Sequence, residues 1–132
     1  MFSFEYQSYN YRQVLEELAT ALKTTLKDCR LDYPDQFAKG YSMCIELPNG
    51  LQAVVSDYTL NDQYYIKRNS SPQEYYVLRY EDIHIEDELT LRIDGDTLKT
   101  RNEHHAGIYL VSTLFDVSYL GKKGSTFKGI HI

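Results

Sequence analysis

The sequence predicts a mainly β domain with one N-terminal helix, arranged as an antiparallel barrel or sandwich. Helical periodicity is confined to residues 10–29, whereas residues 41–132 read as short strands separated by turns. Two turn signals, P-N-G at 48–50 and D-G at 94–95, lie between strand-like runs and indicate hairpins. No helical pattern separates the strands, which argues against βαβ units.

The length and charge of the chain restrict what it does. At 132 residues it is expected to form a single domain, with a helix and linker in residues 1–40 and a β-barrel in residues 41–132. The formal net charge is −5, and binding to a phosphate backbone depends mainly on Lys and Arg, so direct DNA binding is not expected. The 13 tyrosines favour strands, pockets and interfaces.

The helix is predicted from the segment NYRQVLEELATALKTTLKDC (10–29), which has apolar residues at helical spacing. Asn10 is a suitable N-cap, and Tyr9 before it is placed to form a hydrophobic staple with Val14. A helix of about 18 residues is roughly 27 Å long. Its apolar stripe is expected to pack on the sheet, and contact with a second copy in a dimer is the alternative. The stripe comprises Val14, Leu15, Leu18, Ala19, Leu22 and Leu26.

The rest of the chain is predicted to form about nine strands. Their ranges are 42–47, 51–58, 62–68, 74–80, 89–93, 96–100, 107–113, 115–120 and 125–132. In the last of these, STFKGIHI, the alternation continues to Ile132. We therefore expect it to be the closing strand of the barrel, reached through a K-G turn.

Two longer segments resemble a known family. GYSMCIELPNGLQAVVSDYTLND (40–62), taken with SSPQEYYVLRY (70–80), contains a G-Y strand, a glycine turn and a strand ending in D-Y-T-L. GIYLVSTLFDVSYLGKKGSTFKGIHI (107–132) contains an S-x-L-F corner, a K-G turn and a strand ending in G-I-x-I. Both resemble the N-terminal domain of AraC-type bacterial transcription regulators, and the resemblance extends from about Tyr11 to Ile132.

The resemblance implies a cupin-like double-stranded β-helix, with the helix packed on the barrel, that senses a small-molecule effector and helps the protein form a homodimer. It also implies a second domain with two helix-turn-helix units, which binds DNA. No such pattern follows Leu120 in this sequence, so the DNA-binding domain is expected beyond Ile132. The implied function is control of DNA binding by a ligand-sensing domain, without catalysis and without a cofactor.

Arginines and tyrosines in strand-like segments are the candidates for contact with an effector. They are Tyr75, Arg79, Arg92 and Tyr109. A buried arginine needs a carboxylate partner or an anionic ligand, and tyrosine hydroxyls suit an uncharged polar ligand such as a sugar. The alternative is that both arginines lie on an outer face and pair with surface acids such as Asp57 or Glu81.

The orientation of the strand EYYVLRY (74–80) decides whether Arg79 reaches a pocket. Alternate residues of a strand share a face, so the segment presents two sets. One set is Tyr75, Val77 and Arg79, and the more apolar set is Tyr76, Leu78 and Tyr80. Because a barrel interior is either an apolar core or a ligand pocket, the sequence leaves both orientations open.

Metal and covalent chemistry have little support in the sequence. A metal-binding cupin needs three or four converging ligands. The chain offers His84 with Glu86, and adjacent His104 and His105, which point to opposite faces if they lie on a strand. We therefore expect no metal ligand and no catalytic residue. The alternatives are a cupin-like enzyme, an isomerase or metal oxygenase, and a ligand-free structural dimerisation module.

Cysteine usage and hydropathy bear on location. Cys29 and Cys44 are expected to be two reduced thiols in a cytoplasmic protein, since there is no C-x-x-C motif. The segment at residues 2–5 is too polar and too short for a signal peptide. No apolar run approaches the roughly 20 residues needed to cross a bilayer, so no membrane association is expected.

Overall fold

The computed structural model describes residues 1–7, 10–101 and 103–132, which form one α-helix and two β-sheets. The prediction of a mainly β domain with one helix is confirmed. The elements in chain order are β1 (Phe2–Tyr6), α1 (Tyr11–Ala21), β2 (Arg30–Asp32), β3 (Ala38–Glu46), β4 (Gln52–Leu60), β5 (Tyr64–Arg68), β6 (Tyr76–His84), β7 (Glu88–Ile93), β8 (Asp96–Arg101), β9 (His104–Ser112), β10 (Val117–Gly121) and β11 (Thr126–His131).

The strands form a five-stranded sheet, in the order β1-β5-β10-β7-β8, and a six-stranded sheet, in the order β2-β3-β4-β11-β6-β9. Among the described residues, β1 and β5 pair in parallel and the other pairs are antiparallel. The predicted closed barrel is not formed by the described residues, because no strand pairing joins the two sheets. Helix α1 contacts β1 in one sheet and β3 and β4 in the other, and so occupies the side on which the sheets would have to join.

Residues 1–40, which were predicted to be a helix and a linker, also contain the strands β1 and β2. In β1, Phe2, Phe4 and Tyr6 alternate with polar residues and lie in register with β5. The three-residue strand β2 contributes Leu31, which is fully buried. These strands form one edge of each sheet, so the N-terminal region is part of the β structure.

Aromatic rings hold the two sheets together. The ring centroids of Tyr64 on β5 and Phe127 on β11 lie 5.4 Å apart, which links the five-stranded sheet to the six-stranded one. Phe37 packs against Tyr64 at 6.2 Å and against Phe2 at 4.8 Å. Burial of one such side chain stabilises a fold by roughly 1.5–3 kcal/mol, so this cluster is a main source of stability. Its other buried members are Ala38, Leu60, Ile83, Ile85 and Leu89.

Helix α1 begins as predicted. The Asn10 side chain accepts a hydrogen bond of 3.1 Å from the backbone N–H of Gln13, which satisfies one of the unpaired donors of the first turn. Tyr9 lies outside the described residues, so its staple with Val14 stays a prediction.

The helix is shorter than predicted, at 11 residues instead of about 18. It ends because Lys23 adopts a left-handed conformation with φ 58°. The N–H groups of Lys23 and Thr24 then donate to the carbonyls of Thr20 and Ala19, at 3.1 and 2.9 Å. This is a Schellman arrangement, which satisfies the last carbonyls and turns the chain away.

No helix in the described part of the chain is long and apolar enough to cross a membrane.

The apolar stripe of α1 packs on the sheets, as expected, and is not left for a second copy. Leu15, Leu18 and Ala19 are buried against Phe4 and Leu31. The stripe thereby closes one open side of the sandwich.

Both predicted hairpins are confirmed. Strands β3 and β4 pair across the 3₁₀ turn Pro48–Gly50, in which Asn49 has φ 64°. Strands β7 and β8 pair across Asp94 and Gly95, whose φ values of 48° and 94° are those of a two-residue turn with both central residues left-handed.

Substitution of Gly40 by alanine should lower the free energy of unfolding by about 2–5 kcal/mol. Gly40 has φ 131°, and an added Cβ would overlap the Asp57 carbonyl oxygen and lie 2.7 Å from the Tyr58 Cα. Gly95→Ala is the matched control: φ is 94° but no atom lies within 4 Å, so only conformational strain of about 1–2 kcal/mol is expected. Urea unfolding measures the free energy of unfolding of both variants. Equal losses would show that the close approach of Asp57 and Tyr58 to Gly40 does not affect stability.

Candidate functional site

A cleft opens between the two sheets beside the start of α1. It consists of a cavity of about 310 Å³ and an adjoining cavity of about 160 Å³ that extends toward the aromatic core. We call the two together the inter-sheet cleft. They are continuous because five residues line both: Tyr6, Tyr11, Arg79, Tyr119 and His131.

Strand β6 turns its more polar set of residues into the inter-sheet cleft. Arg79, Val77 and the preceding Tyr75 line it. The alternation that the sequence left open is therefore resolved in favour of a polar interior. The more apolar set is the exposed one, although Tyr76 also borders the cleft. Its exposed fractions are 62% for Tyr76, 43% for Leu78 and 51% for Tyr80.

Arg79 forms a buried network at the centre of the cleft. Its Nη2 donates to Glu81 Oε1 at 2.8 Å, and its Nη1 donates to the Tyr119 hydroxyl. His131 Nε2 lies 3.1 Å from Glu81 Oε1 and 3.4 Å from Arg79 Nε. Tyr119 belongs to the five-stranded sheet and the other three residues to the six-stranded sheet, so the network connects the sheets.

Strand register brings this network together. His131 on β11 is directly opposite Arg79 on β6. Glu81 follows Arg79 by two residues on the same strand, so both side chains point to the same face.

Burial and mutual contact set the charge states of the network. Burial acts to raise the pKa of Glu81, but the hydrogen bond with His131 and the charge of Arg79 outweigh it and hold the pKa below its usual value. Burial lowers the pKa of His131, and the charge of Arg79 lowers it further, so the imidazole is mainly neutral at pH 7. Burial acts to lower the pKa of Arg79, but Tyr119 and Glu81 more than offset it. At neutral pH the network thus contains one cation, Arg79, and one anion, Glu81.

Arg68 adds a second positive charge to the cleft. It ends β5, and its Nη2 donates to the carbonyls of Ser112 at 3.2 Å and Phe115 at 3.3 Å. Its Nε is buried and has no hydrogen-bond partner among the described residues. Within the same residues, no acidic side chain forms an ion pair with it. Of the two guanidinium groups in the cleft, that of Arg79 has a carboxylate partner, Glu81, and that of Arg68 has none among the described residues.

Tyrosine hydroxyls complete the polar lining. Burial raises the pKa of Tyr6 and Tyr119 above the usual value, and it raises the pKa of Tyr11 to about 12. Tyr33 in the adjoining cavity has its pKa raised to about 12 by burial, and its hydroxyl lies 2.7 Å from Ser42 Oγ. All are neutral hydroxyls at pH 7 and serve as hydrogen-bonding groups rather than charges.

Two of the four predicted effector contacts, Arg79 and Tyr75, line the inter-sheet cleft. Arg79 has the partner that the surface alternative named, Glu81, but the pair is buried. Tyr109 is opposite Arg79 in register on β9, is 46% exposed and is not part of the cleft lining. Arg92 is exposed on β7 and also lies outside the cleft lining.

Sequence reasoning missed Arg68, Tyr119 and His131 as cleft residues, together with Tyr6 and Tyr11, and it named Glu81 only as a surface acid. One signal for Arg68 was present, because it continues the alternate positions of Tyr64 and Ile66 in β5, just as Arg79 continues those of β6. Tyr119 and His131 carry no such signal, since their positions depend on which strands pair.

Other reactive side chains do not converge. The rings of His84 and His104 stack at 5.3 Å, and His104 contacts Asp82, on the outward face of β6 and β9. Among the described residues, no three His, Cys, Asp or Glu side chains are placed to hold a metal ion. Cys29 and Cys44 are free thiols on neighbouring segments, with the Cys44 N–H donating to the Cys29 carbonyl at 3.0 Å.

No protein-family model matches the chain, and no curated protein sequence matches it significantly. Its functional interpretation therefore depends on the inter-sheet cleft. Enclosed volume, aromatic walls and a few converging polar groups are the features of a small-molecule site.

Glu81→Gln should lower the free energy of unfolding by about 3 kcal/mol, because it leaves the buried Arg79 without its carboxylate. Both side chains are 16% exposed. Glu88→Gln is the control: Glu88 is 17% exposed and pairs at 2.9 Å, but its partner Arg101 is 73% exposed, so about 1 kcal/mol or less is expected. Urea unfolding at pH 7 compares them, and similar losses would contradict a structural role for the buried pair.

The free energy of unfolding should fall as the pH drops from 7 to 5, because His131 has a folded-state pKa below its usual 6.5. The unfolded chain then binds more protons than the folded one, so protonation favours unfolding. Glu81, whose folded pKa lies below 4.5, adds a further loss at lower pH. Urea unfolding across pH should show a flatter dependence between pH 7 and 5 in His131→Gln. His105→Gln, at a half-buried histidine outside the network, is the matched control, and an unchanged slope in His131→Gln would refute the assignment.

Proposed function

We propose that this chain is the ligand-sensing and dimerising domain of an AraC-type transcription regulator, with a cupin-like β architecture. The inter-sheet cleft carries the proposal, because it offers a partly enclosed space with converging polar groups. The mainly β composition with one helix near the N-terminus supports it, since the family resemblance implies that composition. DNA binding would belong to a separate helix-turn-helix domain, in keeping with the net charge of −5.

An effector in the cleft would contact both sheets and the helix. Arg68 and Tyr119 belong to the five-stranded sheet, and Arg79 belongs to the six-stranded sheet. Tyr11 begins α1, and its backbone N–H donates to the Gln52 side chain on β4 at 2.9 Å. A ligand that binds one relative position of these elements more tightly shifts the population toward it. The signal is thus a change in packing, with no covalent step.

A second copy of the chain is the proposed partner of strand β9, at the edge of the six-stranded sheet. Strand β9 lies at the edge of this sheet, and its residues 106–112 include no charged side chain. Natural edge strands are usually protected by charges, proline or bulges. Ile108 is 70% exposed and Leu110 67% exposed, next to the exposed apolar set of β6. Antiparallel pairing of two β9 strands would satisfy their unpaired backbone groups and join the two sheets edge to edge.

Charge and size favour a two-fold pairing centred on Ile108. Ala106 would then lie opposite Leu110 of the second copy, so that a small side chain meets a large one. His104 would lie opposite Ser112, whose hydroxyl donates to Glu74 at 2.6 Å, so an imidazole approaches a carboxylate. Since each copy carries a net charge of −5, an uncharged strand is the surface that avoids repulsion.

A chimera tests the proposed function. Residues 1–132 are fused to a helix-turn-helix domain that activates a reporter only as a dimer, and reporter output is measured against a small-molecule library. We expect output above that of the DNA-binding domain alone, and a change in output with at least one compound. Val77→Trp, which fills the cleft, should remove the response and keep the basal output.

Two results would contradict the proposal. The first is reporter output no higher than that of the DNA-binding domain alone. The second is a compound response that Val77→Trp leaves intact. Turnover of a bound compound by the purified chain would support the cupin-like enzyme instead.

Ile108→Lys should weaken self-association by at least about tenfold, because the two-fold pairing places the new charges opposite each other. Leu98→Lys is the control, since Leu98 is 62% exposed on β8, the edge strand of the five-stranded sheet. Sedimentation equilibrium measures the dissociation constant of each. A wild-type protein that stays monomeric, or equal weakening by both variants, would rule out the β9 interface.

A further inference from the structure

We infer that the inter-sheet cleft takes a small planar ligand with a single carboxylate, and that Arg68 binds this carboxylate. The inference rests on the proposed function, since it names the ligand class for the proposed sensing site. It is carried by the charge balance of the cleft, by the buried donor of Arg68 and by the volume and lining of the cavity around it.

The charge balance of the cleft calls for one more anion. Arg79 already has its carboxylate, because Glu81 Oε1 lies 2.8 Å from its Nη2. Arg68 forms no ion pair with any acidic residue that the structure describes. A cation next to a partly enclosed, low-dielectric space is stabilised by an anionic partner. A ligand with one negative charge would complete the second pair.

Hydrogen bonding points to the same residue. The Nε–H of Arg68 is buried without an acceptor, while Nη2 is already used by two backbone carbonyls. The hydroxyls of Ser71 and Thr113 line the same cavity and bond to each other at 2.8 Å. Arg68 therefore supplies the unsatisfied donor at this end of the cleft, and a carboxylate is the acceptor that matches a guanidinium group.

The cavity sets the size and shape of the ligand. Its volume of about 310 Å³ is at the lower end of the usual range for ligand pockets, which favours a single-ring compound. The walls beside Arg68 include Tyr6, Tyr119 and Val117, so aromatic and apolar surface surrounds the body of the ligand. Glu81, which lines the adjoining cavity, disfavours a second negative charge, and this selects a monoanion over a dianion.

Nicotinate and nicotinamide are matched probes for this inference, because they share a planar ring and differ in a carboxylate against an uncharged amide. Isothermal titration calorimetry at pH 7 and constant ionic strength gives the dissociation constant of each for the whole chain. We expect nicotinate to bind at least about tenfold more tightly than nicotinamide. Arg68→Met should remove this preference by weakening nicotinate at least about tenfold while leaving nicotinamide within about twofold.

Arg92→Met controls for the loss of a positive charge elsewhere, because Arg92 is exposed and outside the cleft lining, and it should leave both constants unchanged. Absence of nicotinate binding, equal binding of the two probes, or unchanged nicotinate binding in Arg68→Met would each overturn the inference. If Arg68→Met does not fold, the comparison of the two probes on the wild-type protein decides. The proposed function is judged separately, because a chimera that responds only to uncharged compounds would keep it and reject the carboxylate.

Discussion

A buried guanidinium group needs a fixed set of acceptors, and this need organises the centre of the molecule. Arg79 is 16% exposed and is held by Glu81 on its own strand and by Tyr119 on the facing sheet, while His131 on the adjacent strand binds Glu81. Any change in the spacing of the sheets would leave this charge poorly solvated, so the network fixes their relative position. The same polar side chains line the inter-sheet cleft, which keeps part of the interior from closing into an apolar core.

Local signals in the sequence predicted local structure correctly, whereas the closure of the fold depends on distant partners. The hairpin turns at Asn49 and Gly95 follow from left-handed backbone conformations that these residue types adopt easily. The end of the helix was misjudged because the apolar stripe continues to Leu26 although Lys23 already turns the chain. Strand β1 was missed because its five residues are stabilised by β5, about sixty positions further on.

The candidate site was predicted in part, for the same physical reason. Alternation within one strand was enough to select Tyr75 and Arg79 together, but it did not determine which face is inside. The usual expectation that apolar residues are buried fails for Tyr76, Leu78 and Tyr80. These side chains form an exposed apolar patch on β6 together with those of the paired strand β9. Arg68 and His131 reach the cleft through strand register, which a single sequence does not reveal.

Strand β11 lies inside the six-stranded sheet, between β4 and β6, although it follows both of them along the chain. During synthesis the ribosome therefore releases β4 and β6 well before the strand that joins them. Until residues 126–131 emerge, the β3–β4 hairpin and the β6–β9 pair are separate units with unpaired edges, open to chaperones and to misassociation. His131 arrives with the same strand, so the six-stranded sheet and its buried charge network are completed in the same step.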